Sequence, residues 1–212
     1  MAKNTSRKLT IQLDYGDTDQ LGMERLIFFS DAVFAIAITL LSLEIRLPDG
    51  IEAFSNAALL SQLTGIWHKY LAFMISFMVI GTLWIGHHRK FRFIKRYDSP
   101  LLMLNLVLLM VIAFIPFPSA VLSSYSNRIA TSFYALVMVL ASLLGSAIWW
   151  YASRHGLVDS PIDIKKHRRL LITPLVTALI FLASIGIAYL DPDISKFIWM
   201  LIIPVSIYMN RS

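Results

Sequence analysis

Apolar residues in this chain come in runs of about twenty, separated by short polar connections rich in Lys and Arg, and the runs carry no one-sided soluble-helix pattern. A helix needs about 20 apolar residues at about 1.5 Å rise each to cross a hydrocarbon core about 30 Å thick. Six stretches meet or approach that length: residues 25–46, 66–88, 100–123, 129–152, 169–190 and 194–210, the last being the shortest and containing Pro204. Pro48-Asp49-Gly50 is breaker chemistry that stops the first. Residues 51–65 are too polar to span and read as a short surface helix or loop. The pattern therefore predicts an all-α membrane protein with six transmembrane helices per chain, a polar tail over 1–24 and one six-span domain over 25–210.

Composition agrees: 57% hydrophobic residues, only 15% charged ones and a mean hydropathy of +0.67 exclude an ordinary soluble domain. The net charge of +6 would suit a nucleic-acid binder, but the basic residues sit between apolar runs rather than along a polar face. They report orientation instead. Fifteen of the 19 Lys and Arg residues fall in connections on the side of the N-terminus; only Arg46, Lys69, Arg128 and Lys196 fall on the other. The positive-inside rule then places both termini in the cytoplasm, which requires an even number of spans. No cysteine is present, so disulfides, thiolate metal sites and cysteine nucleophiles are excluded. The first 20 residues hold no apolar core of signal-peptide length, so no cleaved leader is expected. Tryptophans and tyrosines near span ends, among them Trp67, Trp84, Trp149, Trp150 and Tyr189, are read as an interfacial belt.

The first span, RLIFFSDAVFAIAITLLSLEIR, differs from a plain anchor because it carries Ser30, Asp31, Thr39 and Glu44. An aspartate inside such a segment costs about 2.5 to 3.5 kcal/mol at the helix centre and so faces protein or water rather than lipid. The helix is expected to line a path through the membrane. Arg25 and Phe29 share a face at i, i+4, whereas Asp31 points elsewhere and needs a partner on another helix. Three roles fit Ser30 and Asp31: a helix cap, an inter-helix network that fixes the first helix, or direct contact with an ion. Ile36, Thr39, Leu40 and Leu43 form one stripe by their offsets, which suits packed core as well as a narrow pore. Glu44 fits both a cation-attracting vestibule and an ion pair with Arg46. In Trp84-Ile85-Gly86-His87-His88, adjacent histidines diverge by about 100° and do not make the i, i+4 pair of a helical metal site. One of His87 and His88 is expected to bond to the Ser30/Asp31 network. Pro116 and Pro118 are expected to bend the third span, and Ala141-x-x-x-Gly145 with Ser142-x-x-x-Ser146 allows close packing of the fourth. No nucleophile–base pair or metal triad suggests an enzyme.

The string from Arg25 through Phe29-Ser30-Asp31, Ile36, Thr39-Leu40 and Leu43-Glu44 resembles the first-helix signature of the endosomal/lysosomal potassium channel family, transmembrane protein 175 in animals, and the Trp84–His88 stretch is similar too. Animal members carry two six-span repeats and bacterial ones a single repeat; this chain, with one signature, resembles the bacterial form. The resemblance implies a homotetramer in a bacterial inner membrane, permeable to potassium, with other monovalent cations as further candidates, with no cofactor and four first helices lining a central pore. It implies that Ile36 is the hydrophobic constriction, Thr39 the selectivity layer, and Leu40 and Leu43 further narrowing rings. Arg25, Phe29, Ser30 and Asp31 would form the inter-helix network with Trp84 and one histidine of the 87/88 pair. The alternative is a secondary transporter of cations or protons, which would want repeats and broken helices, whereas the first span contains neither glycine nor proline.

Overall fold

The computed structural model describes residues 15–48, 55–125, 127–158, 163–202 and 204–205, with side chains from residue 20 onward. Among these the chain is all helical: α1 Tyr15–Leu40, α2 Asn56–Gly65, α3 Trp67–Phe91, α4 Ser99–Phe114, α5 Pro116–Tyr125, α6 Arg128–Arg154, α7 Ile164–Ala188 and α8 Pro192–Trp199. A 3-10 turn, Leu41–Glu44, extends α1. Local chemistry sets many of the starts. Asp98, Asn127, Asp163 and Asp191 each accept backbone N–H bonds at a helix N-terminus, and Ser55 does so for α2.

Two departures from the sequence pattern appear among the described residues. The first helix begins at Tyr15 rather than at Arg25, because the polar run before the apolar stretch is helical too. The third apolar run is two helices, α4 and α5, separated at Ile115, since Pro116 offers no N–H to continue the ladder. Among the described residues, five helical stretches are long and apolar enough to cross a membrane: Gln20–Glu44, Trp67–Phe91, Ser99–Tyr125, Arg128–Arg154 and Ile164–Ala188. The sixth expected span, 194–210, begins within α8, and its residues 203 and 206–210 lie outside the described residues, as do Asp49-Gly50 and residues 51–54.

The bundle is organised around α6, which packs most extensively against α7 and also against α4, α5, α3 and α8. Small residues make that approach possible: Ala141, Ser142 and Ser146 are buried, and the Ser146 hydroxyl donates to the Leu171 carbonyl on α7 at 3.4 Å. One tryptophan assigned to the interfacial belt belongs to the core. Trp149 is 0% exposed and donates its indole N–H to the His167 carbonyl at 3.1 Å. Trp67, Trp150 and Tyr189 are exposed, and Trp84, 37% exposed, also bonds to another helix, as described below. Trp199 stacks on Tyr134 at 4.9 Å and donates to Ser184 Oγ at 2.8 Å, which docks α8 on α6 and α7. Outward-facing large apolar side chains, such as Met103, Met110, Leu136 and Leu179, give the bundle a lipid-compatible exterior.

At the C-terminal end of α3, the connection to α4 is tied to the α6–α7 connection. Lys95 N–H donates to the Leu157 carbonyl at 2.9 Å, and Arg96 donates to the Gly156 carbonyl at 3.1 Å. Gly156 has φ of 65°, the left-handed backbone a glycine adopts without strain. Asp98 links both: its carboxylate caps α4 and accepts the Tyr151 hydroxyl at 2.7 Å.

Candidate functional site

α1 lies against α3, α4 and α5 along one side only. Met23, Ser30, Phe34, Ala37 and Leu41 are buried in the chain, a stripe at helical spacing. The opposite stripe, Arg25, Phe28, Phe29, Ala32, Ile36, Thr39, Leu40 and Leu43, is exposed, with Ile36 at 58% and Leu43 at 55%. The Ile36/Thr39/Leu40/Leu43 face is thus not core within one chain. Thr39 donates its hydroxyl hydrogen to the Ile36 carbonyl at 2.9 Å, so the hydroxyl's lone pairs remain on the uncovered side. Ser42 repeats the arrangement, donating to the Thr39 carbonyl at 2.8 Å. Glu44 is exposed and forms no ion pair with Arg46, whose Nε instead donates to the Leu43 carbonyl at 2.8 Å; Lys69 then caps the Arg46 carbonyl at 2.9 Å.

The adjacent polar pair Ser30-Asp31 points to two different helices, as residues about 100° apart must. Asp31 Oδ1 accepts the Trp84 indole N–H from α3 at 2.8 Å, the inter-helix partner its position demanded. Ser30, on the buried side, joins a directed chain. Its hydroxyl donates to the Leu26 carbonyl at 2.8 Å, which uses its single hydrogen. It therefore accepts from Asn105 Nδ2 at 3.0 Å, which fixes the amide orientation and leaves Asn105 Oδ1 to accept from His87 Nε2 at 2.9 Å. Nε2 of His87 carries the proton, and Nδ1 has no partner among the described residues. The His87 ring is held between Phe34 of α1, 5.5 Å away, and Phe91 of α3, stacked at 4.2 Å.

Of the two histidines, His87 is the one in the network, and it enters through Asn105 rather than directly. His88 is exposed and lies beside the Trp84 ring at 5.6 Å. Arg25 and Phe29 are exposed and make no hydrogen bond or ring contact among the described residues, so the chain by itself does not bring them into the network. Asn105 was missed by sequence reasoning. Its signal was available: it is the one polar residue in LLMLNLVLLM, where an amide without a partner would be costly.

A helical bundle with an apolar exterior, five membrane-length helices and polar links between them defines a multi-pass membrane protein. The family profile described as endosomal/lysosomal potassium channel TMEM175 matches residues 25–116. A potassium channel of Streptomyces collinus is 38% identical over 173 residues, covering 79% of this chain and 82% of that protein. A potassium channel of Chamaesiphon minutus is 40% identical over 129 residues, covering 59% of this chain and 63% of that protein. The solved structure of a lysosomal potassium-selective channel TMEM175 homolog from the same organism superposes with a TM-score of 0.77 at 30% identity, covering 90% of this chain and all of that one. The chain belongs to the TMEM175 family, a family of ion channels and not of enzymes.

Proposed function

We propose that the chain is one subunit of a homotetrameric potassium-permeable cation channel of the bacterial inner membrane, with six spans, both termini cytoplasmic and four copies of α1 around the conduction path. The observation that carries this reading is the uncovered stripe of α1. A helix that holds Ser30 and Asp31 fast against its own bundle while leaving Ile36, Thr39, Leu40 and Leu43 bare is built to meet something outside the chain. A ring of four Ile36 side chains would narrow the path and exclude water, so conduction is limited by dewetting at that level. Thr39 would form the next layer. With its hydrogen committed to the Ile36 carbonyl, each hydroxyl offers only lone pairs, the chemistry that replaces part of a cation's hydration shell. Glu44, at the end of the 3-10 turn and without an ion pair among the described residues, would raise cation concentration at the mouth. Arg25, Phe29 and His88 stay exposed in one chain and would complete the network against a neighbouring subunit.

Flow is passive, set by the ion gradient. Ile36→Asn replaces the apolar ring by amides, and potassium flux into liposomes is expected to rise; flux unchanged by that substitution would overturn the assignment. Thr39→Val removes the hydroxyl layer at nearly constant volume and is expected to change the potassium to sodium permeability ratio more than the total current.

A further inference from the structure

Away from α1, the interior holds a second polar site. Lys90 of α3 is 4% exposed and has no hydrogen bond or ion pair among the described residues. Its ammonium occupies space that Gly145 of α6 leaves free, 3.3 Å from where a Cβ would stand. Both residues line a cavity of about 60 Å³ between α3, α6 and α7, room for more than one water-sized group. Two more polar groups on its wall lack partners: Ser142 Oγ and His87 Nδ1. Arg89 stands on the same wall, and among the described residues no aspartate or glutamate does. Pro174 of α7 also lines it and deletes one helical hydrogen bond there.

A buried ammonium without a counter-charge is costly, and water hydrates it without neutralising it. A second cavity adjoins it. Val79, Thr82 and Ile202 line both, and the second, of about 180 Å³, is walled by Met74, Met78 and Trp199 and is almost wholly apolar. From Lys90 to Met74, α3 rises about 24 Å, the scale of one bilayer leaflet. A cationic, hydroxyl-bearing head compartment beside an apolar groove matches one chemistry: an amphiphile with an anionic oxygen head and a hydrocarbon chain.

We infer that this paired cavity binds a single-chain or glycerol-linked acyl lipid whose carboxylate or phosphate is held by Lys90 and Ser142, with the acyl chain lying along α3 toward Trp199. A water held by the head group donates to His87 Nδ1. Because His87 also bonds to Asn105, and through it to Ser30, the head group touches the chain of side chains that anchors α1.

Native mass spectrometry of the detergent-purified protein tests this with four probes: oleate, oleoyl lysophosphatidic acid, uncharged monoolein, and inorganic phosphate. The two acyl anions are expected to bind at one per chain, at least about tenfold more tightly than monoolein or inorganic phosphate. Which anion binds tighter distinguishes a carboxylate from a phosphate head. Equal binding of monoolein would overturn the role of Lys90, and equal binding of inorganic phosphate would make this a free-anion site and overturn the lipid. Lys90→Met is expected to abolish the preference for acyl anions, and Gly145→Leu, which fills the head compartment, to abolish binding; Lys166→Met is the charge-matched control. Should either variant fail to fold, the wild-type ranking of the four probes still decides the matter. Binding that survives in both folded variants would refute the site.

Discussion

Replacing Asn105 with leucine keeps the branching and the number of side-chain heavy atoms and removes both links of the chain from His87 to Ser30. The two losses are unequal. Ser30 keeps its bond to the Leu26 carbonyl and gives up only an accepted hydrogen bond. His87 is left with a buried Nε2–H and no acceptor. A lost buried hydrogen bond is worth about 0.5 to 1.5 kcal/mol, with membrane double-mutant cycles averaging about 0.6, and an orphaned buried donor costs about 1 to 3 kcal/mol. Asn105→Leu is therefore expected to destabilise the protein by about 2 to 4 kcal/mol, and Ser30→Ala by about 1. Equilibrium unfolding of the solubilised protein in a denaturing detergent series measures both. The double variant should cost less than the two singles together, by about 1 kcal/mol, because the shared bond is removed only once. A loss under about 0.5 kcal/mol for Asn105→Leu, or strict additivity, would refute the directed chain.

Trp84→Phe deletes the indole N–H that Asp31 accepts and is expected to cost about 1 to 3 kcal/mol, with a smaller loss in an Asp31→Ala background, by the same unfolding assay. For Asp98, burial pushes the carboxyl up, but the bonds from Tyr151 and Leu101 and the nearby His155 outweigh it and hold the carboxyl below its ordinary range. A depressed carboxyl stabilises the fold above its unfolded value, about 4, and that stabilisation is lost as pH falls through the lower folded value. Tyr151→Phe should move this acid limb to higher pH in a thermal-stability titration; an unchanged limb would show that the phenol does not hold the charge. The chain has no cysteine, so Leu43→Cys introduces a unique thiol. If the stripe faces its symmetry mates, mild oxidation should yield cross-linked dimers, and exclusively monomeric protein would place it toward lipid.

Asp31 shows what could be read without coordinates. An ionisable group in an apolar run must find a partner off its own helix, and the indole of Trp84 is that partner. Trp149 shows the opposite. Its place near a span end suited an interfacial belt, yet it is fully buried, because a belt residue and a core residue have the same sequence context and differ only in what packs beside them. The preference for a histidine in the Ser30 network was sound in kind, but Asn105, 75 residues from Ser30, is what makes the reach possible. Lys90 looked like one more topology charge among the basic residues of its connection, and only the packing of α6 and α7 around it encloses it.

The sequence by itself determined the class of protein, the membrane-length helices and the residues that had to be special, because the cost of polar groups in hydrocarbon is paid locally and shows in each run. The tertiary structure alone decided which helices those residues reach, that His87 rather than His88 turns inward, and that one side of α1 is left bare. Those outcomes depend on the relative rotation and axial offset of helices far apart in the chain, quantities set by the fit of whole side-chain surfaces and written in no single segment.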